Sequence, residues 1–320
     1  MYLESFNNPL EFCHFFEQLK LDKCSIKKSK MKPFWMVWSN GDSLSRYHFM
    51  THQIIFKHGD DLRQDMLTLQ LLKLMDTIWK DEGEDYCLSP YSCLATGSRT
   101  GLIEVVRGAQ TIMSIQNESR RAVMQLDPLQ LHRWLEKATL GSREMYERAI
   151  NNFTRSCAGY CVATFVLGIR DRHNDNIMAD ETGRLFHIDF GHILNNKKKK
   201  FGINRERVPF VLPVDFVFVI TRGKQIESAQ EEYKKFVDLC VSAYLSLRRH
   251  SRLILTLLSI MLVADLPELQ NLRDLDYVRH SLAVDKDEKS AESFFRNVLN
   301  QAYSGGWSTK LDWYFHWMNS

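Results

Sequence analysis

Apolar residues change their spacing along the chain, from short runs in the first hundred residues to helical periods in the rest. Residues 34–38, 53–57 and 102–106 form runs rich in β-branched and aromatic side chains, bounded by Gly, Ser and Asn. Such runs predict strands, here of one antiparallel sheet.

Helical spacing predicts a short amphipathic helix over residues 6–19, ahead of the strands. A second helix is predicted to begin at Asp61, the N-cap, with Gln64 as its capping-box partner. Its predicted buried stripe comprises Leu67, Leu71, Leu74 and Ile78. From about residue 128 helical periods dominate. The pattern therefore predicts an α+β fold with a small sheet-containing lobe, a larger helical lobe and a cleft for a small molecule.

Composition adds limits rather than a function. The chain has 320 residues, 44% of them hydrophobic and 25% charged, which excludes a disordered tail. A net charge of only +3 means that any basic site must be a local patch. We expect no membrane span, no secretory signal and reduced cysteines in a cytoplasmic protein, with Cys157 and Cys161 in core packing rather than on a metal.

Candidate chemistry lies in two polar segments, residues 168–176 and 186–191. Phosphoryl transfer needs oxygen ligands for Mg²⁺, a group that handles the acceptor proton and a cation for the phosphates. Asn176 and Asp189 can bind the metal, since the stretch between them allows a turn and a short β excursion. Asp171 or His173 can serve the proton, and Lys57 the phosphates. Each residue also has an ordinary alternative, as a loop cap, a turn or a structural histidine.

Two familiar phosphate-binding motifs are absent from the sequence, the P-loop and the glycine-rich loop of ordinary protein kinases. The chain instead closely resembles the phosphoinositide 3-kinase family, in particular its class I, class IA-like catalytic subunits. The resemblance rests on residues 55–65, 101–106 and 156–163, on Asp171-Arg172-His173-Asn174-Asp175-Asn176 and on His187-Ile188-Asp189-Phe190-Gly191-His192.

The resemblance implies the two-lobed, protein-kinase-like fold of phosphoinositide 3- and 4-kinases. We expect a helical lead over residues 1–26, an N-lobe with hinge over 27–107 and a C-lobe over 108–320. The chain would correspond to the kinase domain of a longer subunit. The domains that bind an SH2-containing regulatory subunit and Ras-type GTPases would lie outside it.

The resemblance also implies ATP as phosphate donor. Lys57 matches the lysine that contacts the ATP phosphates, although a solvated strand end is the alternative. The other matched nucleotide residues are Asp65 and Tyr91 in the affinity pocket, Glu104 and Val106 in the hinge, Ser29 in the phosphate loop and Trp35, which lines the adenine pocket or merely packs.

For the chemistry itself, the resemblance assigns Mg²⁺ to Asn176 and Asp189. Asp171 and His173 correspond to the catalytic-loop pair. His192, just after the Asp-Phe-Gly motif, is a second candidate for the proton, and the sequence leaves the choice between the two histidines open.

A basic cluster follows Asp189 and contains Lys197, Lys198, Lys199, Lys200 and Arg205. In isolation such a run indicates a solvated or nucleic-acid-binding patch. The resemblance implies instead that it binds the headgroup of phosphatidylinositol 4,5-bisphosphate, and no nucleic acid. The aromatic C-terminal residues Trp313, Tyr314 and Phe315 match a membrane-contacting tail, with core packing as the alternative.

The resulting hypothesis is a lipid kinase that phosphorylates the 3-hydroxyl of phosphatidylinositol 4,5-bisphosphate, and of phosphatidylinositol, after peripheral recruitment from the cytoplasm to the plasma membrane. Two rivals stay open: a serine/threonine protein kinase of the related family, and an inactive phosphoinositide-binding scaffold. Arg170, Ser92 and Pro213 depart from the family pattern, and Arg170 stands where glycine is usual.

Overall fold

The computed structural model describes residues 5–28, 31–42, 50–120, 127–195, 199–200, 203–204 and 208–318, with the backbone alone at 118–120, 199–200, 203–204 and 304–318. The chain divides into two compact units. The first comprises Met1–Leu71 and Pro90–Arg107, and the second comprises Leu72–Ser89 and Gly108–Ser320. The first unit includes residues 1–26, and residues 72–89 are part of the second unit.

An antiparallel sheet forms the frame of the first unit. Its strands are β1 (Phe6–Asn7), β2 (Phe15–Leu19), β3 (Ser25–Ile26), β4 (Phe34–Asn40), β5 (Thr51–His58), β6 (Cys93–Gly97) and β7 (Thr100–Glu104). Hydrogen bonds join them in the order β1-β2-β4-β5-β7-β6, and β3 pairs with β4. The three predicted strands are confirmed as β4, β5 and β7, the last beginning and ending two residues earlier than expected.

The predicted helix over residues 6–19 is wrong, because these residues form the antiparallel hairpin β1–β2. Pro9 is the physical reason: it lacks a backbone N–H and disfavours the helical conformation of the preceding Asn8. Asn8 closes a turn instead, since its N–H donates to the carbonyl oxygen of His14 at 2.8 Å. The lead segment is therefore part of the sheet.

One face of this sheet carries a hydrophobic cluster. Phe16 of β2 stacks on Trp38 of β4 with ring centroids 5.3 Å apart, and both belong to one cluster with Ile54 of β5. Successive side chains of a strand point to opposite faces. Ile55 and Lys57 of β5 therefore lie on the other face, away from this cluster.

Helix α1 (Arg63–Asp81) follows β5. The Asp61 carboxylate accepts the Arg63 backbone N–H at 3.1 Å, as an N-capping side chain does. Its hydrogen bonds to the Arg63 guanidinium lower the pKa of Asp61. Of the predicted stripe, Leu67, Leu71 and Ile78 are buried and Leu74 is half-buried.

The second unit is mainly helical, with a small antiparallel sheet of β8 (Ala109–Thr111), β9 (Ile177–Asp180) and β10 (Leu185–His187) in the order β10-β9-β8. A further pair is β11 (Lys199–Lys200) with β12 (Ile203–Asn204). The helices are α2 (Ile112–Arg120), α3 (Gln130–Ala138), α4 (Arg143–Val166), α5 (Val214–Ile220), α6 (Gln230–Arg249), α7 (Ser251–Ile260), α8 (Asp276–Ser281) and α9 (Glu288–Met318). Within the described ranges, no helix combines the length and the hydrophobicity that a membrane crossing requires.

Helix α4 is the buried centre of this unit. Gly159 allows the side chains of Tyr86 and Leu88 to pack closely against α4. A Cβ at this position would lie 2.8 Å from Leu88 Cδ2 and 3.0 Å from Tyr86 Cβ. Cys157 and Cys161 are buried free thiols on the same helix, and burial raises the pKa of Cys157. These contacts agree with core packing for both cysteines.

Candidate active site

The β9–β10 hairpin brings Asn176 and Asp189 to the same end of the small sheet. Ile177 pairs with His187 across the hairpin, and the Ile188 N–H donates to the Asn176 carbonyl oxygen at 3.0 Å. Asn176 directly precedes β9, and Asp189 follows shortly after β10. The two candidate metal ligands thus meet although they are separated in sequence.

The side chain of Asn176 closes the loop that precedes β9. Its amide oxygen accepts the His173 N–H at 2.9 Å, and its amide nitrogen donates to the Asp171 carbonyl oxygen. The loop-cap interpretation of Asn176 therefore has direct support. An amide oxygen has two lone pairs, so one acceptor position remains for a cation.

Asp171 and Asp189 share an uncommon backbone conformation. Their φ angles are 59° and 60°, in the left-handed region that non-glycine residues seldom occupy. Such conformations cost about 1–3 kcal/mol each and concentrate at functional sites. Eight other non-glycine residues of the described part of the chain also have a positive φ, so this conformation agrees with the sequence motifs but does not by itself identify the two aspartates.

Arg172 connects the candidate catalytic loop, residues 171–176, to the segment after β10 that contains Asp189. Its guanidinium donates to the Ile188 carbonyl oxygen at 2.7 Å and also to the Asp189 carbonyl oxygen, while its Nε donates to the Arg170 carbonyl oxygen at 3.0 Å. One cation therefore satisfies three carbonyl groups of two segments. This side chain therefore helps to keep the Asp171 loop beside the Asp189 segment.

A second connection pairs residues 167–170 with residues 192–195. The Leu194 N–H donates to the Leu167 carbonyl oxygen at 2.8 Å, and the Arg170 N–H donates to the His192 carbonyl oxygen at 3.0 Å. Gly168 has φ 59° and no space for a side chain, because a Cβ there would meet the Asn195 backbone. The pairing places His192 next to the catalytic loop.

The two candidate histidines have different partners. The Asp175 N–H donates to Nδ1 of His173 at 3.3 Å, and the side-chain amide nitrogen of Asn176 lies 3.4 Å from Nε2 of the same ring. His192 Nδ1 lies 2.7 Å from a carboxylate oxygen of Glu268. A carboxylate accepts hydrogen bonds, so His192 carries its proton on Nδ1.

His187, in contrast, is part of the core. Its ring is fully buried and stacks on Tyr160, with centroids 5.2 Å apart and planes 7° apart. Burial, together with the nearby charge of Arg172, lowers the pKa of His187 well below its ordinary value. This histidine is therefore neutral and packs between the catalytic loop and α4.

Arg170, the departure from the family pattern, reaches both sides of the basic cluster. Its Nε donates to Asn195 Oδ1 at 2.8 Å, and its Nη1 donates to the Val208 carbonyl oxygen at 2.9 Å. A longer contact to the Pro209 carbonyl oxygen measures 3.4 Å. The added bulk and charge are thus accommodated by polar partners.

A series of buried polar side chains connects the loop to the rest of the second unit. Asn174 donates to Gln116 Oε1 of α2 at 2.7 Å, and Gln116 Nε2 donates to the carboxylate of Asp215 on α5. All three side chains are buried. The series connects the catalytic loop to two helices that the sequence did not relate to it.

Asn176 and Asp189 fit Mg²⁺ as an oxygen donor set. Asp189 is exposed, and Asn176 is buried beside it on the hairpin. Throughout the part of the chain that the structure describes, no group of three or more His, Cys, Asp and Glu residues could hold a metal ion. A magnesium site here would take its remaining ligands from substrate phosphates and water, as Mg²⁺ sites in phosphoryl-transfer enzymes usually do.

The first unit holds the nucleotide candidates. Lys57 Nζ lies 3.5 Å from Asp60 Oδ2, and the Lys57 side chain is only 24% exposed, which disfavours a solvated strand end. Asp65 and Tyr91 are buried. Burial raises the pKa of Cys93 to about 12, and the charges of Asp65 and Lys57 act on this thiol in opposite directions, Asp65 adding to the rise and Lys57 opposing it.

The remaining nucleotide candidates of this unit lie on or beside the sheet. Lys27 Nζ lies 3.8 Å from the centroid of the Trp35 ring, so this ring has a cation as a neighbour. The Glu104 N–H donates to the Ser92 carbonyl oxygen at 2.9 Å, and its carboxylate accepts the Ser92 N–H at 2.7 Å. Val106 follows the end of β7.

Several candidates cannot be placed. Ser29, Lys197, Lys198 and Arg205 lie outside the described residues. Lys199 and Lys200 form β11, and Trp313, Tyr314 and Phe315 lie in α9, but the side chains of these five are also outside the description. Their roles stay predictions.

Three side chains that shape the site received no role from the sequence: Arg172, Gln116 and Glu268. Arg172 lies inside the Asp-Arg-His motif, so its position in the sequence could have suggested a role in the loop. Gln116 and Glu268 are distant in sequence from the loop they contact. No local pattern could have identified them.

Comparison with known proteins agrees with this geometry. The family model of phosphatidylinositol 3- and 4-kinase matches residues 51–271. Phosphatidylinositol 3-kinase age-1 of Caenorhabditis elegans is 37% identical over an alignment 342 residues long, which covers 98% of this chain and 29% of that protein. Phosphatidylinositol 3-kinase 2 of Dictyostelium discoideum is 43% identical over 296 residues, 92% of this chain and 15% of that protein.

The chain thus spans less than a third of the length of either relative. The matched region contains the β9–β10 hairpin, the catalytic loop and Lys57. The resemblance to phosphoinositide 3-kinases and the kinase-like α+β fold predicted from the sequence are both confirmed. The chain belongs to the phosphatidylinositol 3- and 4-kinase family.

Proposed function

We propose that this chain is an ATP- and Mg²⁺-dependent lipid kinase that phosphorylates the 3-hydroxyl of phosphatidylinositol 4,5-bisphosphate, and also phosphatidylinositol. Family membership and two relatives named as phosphatidylinositol 3-kinases support a kinase of this type. The observation that carries the proposal is the hairpin that joins Asn176 and Asp189 beside the strained Asp171. Two oxygen ligands and a catalytic loop are what phosphoryl transfer requires.

In this proposal the first unit binds the nucleotide. Lys57 contacts the ATP phosphates, and the backbone of Glu104 and Val106 forms hydrogen bonds with the adenine. Asp65, Tyr91, Trp35 and Ser29 complete the binding residues. The burial of Asp65 and Tyr91 and the restricted exposure of Lys57 support a site of defined shape rather than a solvated strand end.

The second unit supplies the chemistry. Asn176 and Asp189 would hold Mg²⁺, which when bound offsets the negative charge of the phosphate oxygens. Asp171 orients the acceptor. Of the two histidines, the contacts favour His192 for accepting the proton, since its Nδ1 is already protonated toward a carboxylate. His173, whose two ring nitrogens already contact N–H donors of its own loop, is the second candidate.

Substrate choice rests on the sequence. The basic cluster, Lys197 to Lys200 with Arg205, supplies the cations that ring phosphates at positions 4 and 5 need. The aromatic residues Trp313, Tyr314 and Phe315 suit the interface of a bilayer. We accordingly propose peripheral recruitment from the cytoplasm to phosphoinositide-containing plasma membrane.

An acceptor panel tests this function. The full chain, with labelled ATP and Mg²⁺, is offered vesicles of phosphatidylinositol, vesicles with phosphatidylinositol 4,5-bisphosphate and a serine peptide. We expect labelled lipid, most of it on the bisphosphate, and about 10-fold less on the bisphosphate when the four lysines are changed to glutamine, since charge-assisted phosphate contacts are lost. Transfer to the peptide alone would indicate a protein kinase. ATP binding without any transfer would indicate a scaffold, and either result would overturn the proposal.

A further inference from the structure

A carboxylate distant in sequence holds His192. His192 Nδ1 lies 2.7 Å from Glu268 Oε1, and the backbone N–H of Ile193 donates to Oε2 of the same carboxylate. Both oxygens of Glu268 therefore contact consecutive residues after the Asp-Phe-Gly motif. The two side chains are largely buried, at 25% exposure for His192 and 14% for Glu268.

A tight turn presents Glu268 to the site. Leu266 and Leu269 are buried on either side, and the Leu269 N–H donates to the Leu266 carbonyl oxygen at 3.2 Å. Pro267 takes the second position of this turn, where its ring presets the backbone angle that turns need. The carboxylate is thus attached to a backbone with little freedom.

His192 is equally restrained. Ile193 and Leu194 are buried, and the His192 carbonyl oxygen accepts the Arg170 N–H. The contact with Glu268 places a proton on Nδ1, which makes Nε2 the nitrogen that can accept a second proton. The carboxylate thereby determines both the tautomer and the direction of the ring.

We infer that Glu268 is a positioning residue for phosphoryl transfer, which orients His192 so that Nε2 takes the proton of the acceptor hydroxyl. The inference rests on the proposed function. As the hydroxyl oxygen bonds to the γ-phosphorus, the bond from that phosphorus to the β,γ-bridging oxygen breaks, and ADP keeps the electron pair. The proton moves to Nε2 and later to solvent, while the Glu268 carboxylate keeps its hydrogen bond to Nδ1 and stabilises the imidazolium.

A purely structural role for Glu268 would rely on its bond to the Ile193 N–H and would persist without the imidazole. The variant Glu268→Gln in the wild-type and His192→Ala backgrounds separates the two roles. Glutamine keeps the shape of the side chain, but its NH2 group replaces one carboxylate oxygen and would face either the His192 Nδ1–H or the Ile193 N–H, which are both donors. We expect kcat for lipid phosphorylation to fall about 10- to 100-fold in the wild-type background, which is part of the roughly 100- to 10,000-fold that a general base contributes, because the histidine itself stays in place.

KM for ATP should stay within about 2-fold of the wild-type value. In the His192→Ala background, Glu268→Gln should lower kcat by less than about a further 2-fold, because the effects of residues that act as a unit are not additive. Equal losses in both backgrounds would overturn the inference. Glu268→Asp, which keeps the charge, should recover part of kcat. As a matched control, Glu82→Gln removes another histidine contact, that of Glu82 with His250, and should leave kcat unchanged.

A measurement independent of turnover uses nitrogen NMR of the histidine rings of the full chain at mildly alkaline pH. We expect the His192 signals, assigned by their loss in His192→Ala, to report a proton on Nδ1, and Glu268→Gln to shift them. A proton on Nε2 in the wild type would overturn the positioning role whatever the activity. A proton on Nδ1 in a chain without lipid kinase activity would uphold the orientation of the ring and reject the proposed function.

Discussion

At the scale of single residues, the candidate active site contains two aspartates with an uncommon backbone conformation. Asp171 and Asp189 both lie in the left-handed region, and hydrogen bonds hold the backbone beside them. Arg172 binds the carbonyl groups of Ile188 and Asp189, and Asn176 binds that of Asp171. The cost of the strain is thus offset by hydrogen bonds that would be absent in an ordinary loop.

Replacement of Asp189 by asparagine removes the charge of a proposed metal ligand without a change of shape. We expect turnover to fall by at least about 100-fold, since bound metal contributes several kcal/mol to such transition states. The thermal unfolding temperature should change little, because Asp189 is exposed. The control is Asp175→Asn, an exposed aspartate of the same loop, which should keep its activity. Comparable losses in both variants would contradict the assignment.

Arg170→Gly should restore the residue usual in the family at this position. We expect a folded and active enzyme with turnover within about 10-fold of the wild type, but a free energy of unfolding lower by about 1–3 kcal/mol, because charge-assisted bonds to Asn195 and Val208 are lost. Denaturant unfolding measures the difference. Arg170→Lys should recover little of it, since an ammonium cannot reproduce the fork of donors. Complete loss of activity or unchanged stability would contradict this account.

At the scale of elements, the catalytic loop is supported by helices from distant parts of the chain. The buried series Asn174, Gln116 and Asp215 links the loop to α2 and α5. Buried polar groups that satisfy one another stabilise a single arrangement, and removal of one leaves the others unpaired. The position of the loop therefore depends on residues without any chemical role.

Gln116→Leu tests this support. The change leaves an amide and a carboxylate without the partner that joined them, so we expect unfolding to become easier by about 2–3 kcal/mol, the usual cost of a buried unsatisfied group. Activity should fall as well. Gln301→Leu on α9 replaces an exposed glutamine and is the control, with little expected change. Equal stability of the two variants would reject the role of Gln116.

We expect the stability of the protein to depend on pH through His52, which lies on β5. This side chain is buried next to Phe16, and burial, with the nearby His14 and Arg107, lowers the pKa of His52 to about 4. An unfolded histidine titrates near 6.5, so below that pH the unfolded chain binds the proton more tightly. Stability is thus full above about pH 6.5 and declines as the pH falls toward about 4.

Between pH 7 and pH 5, His52 should account for a loss of up to about 2 kcal/mol. Chemical unfolding at the two pH values, compared between the wild type and His52→Phe, measures this share. We expect the pH-dependent loss to shrink in the variant. His58→Phe, at the exposed end of the same strand, should leave it unchanged. An identical loss in the wild type and His52→Phe would be incompatible with a buried neutral histidine.

At the scale of the whole molecule, local features were predictable and distant contacts were not. The strands β4, β5 and β7 and the helices α1, α4 and α6 follow the hydrophobic spacing of their own residues. The helix predicted for residues 6–19 was wrong because the aromatic spacing of these residues suits a helix, whereas Pro9 disrupts one. The pairing of Phe6 with Phe16 stabilises the hairpin, and this pairing is a tertiary contact that the spacing does not show. Glu268 reaches His192 through tertiary structure alone.

The family membership of the chain joins these scales, because the motifs that the sequence shows are the same residues that the hairpin and the loop bring together. The net charge of +3 alone says nothing about the substrate. Local charge is the argument for an acidic headgroup, and salt should weaken binding to anionic vesicles accordingly. The central claim is nevertheless one of chemistry, the transfer of phosphate to one hydroxyl of an inositol ring.

The most direct test is the position of the new phosphate. Labelled ATP, Mg²⁺ and vesicles containing phosphatidylinositol 4,5-bisphosphate are incubated with the full chain, and the deacylated headgroups are separated by ring position. The account predicts label on the 3-hydroxyl, absent with Asp189→Asn. Label on another hydroxyl, or no labelled lipid from a folded chain that binds ATP, would contradict it.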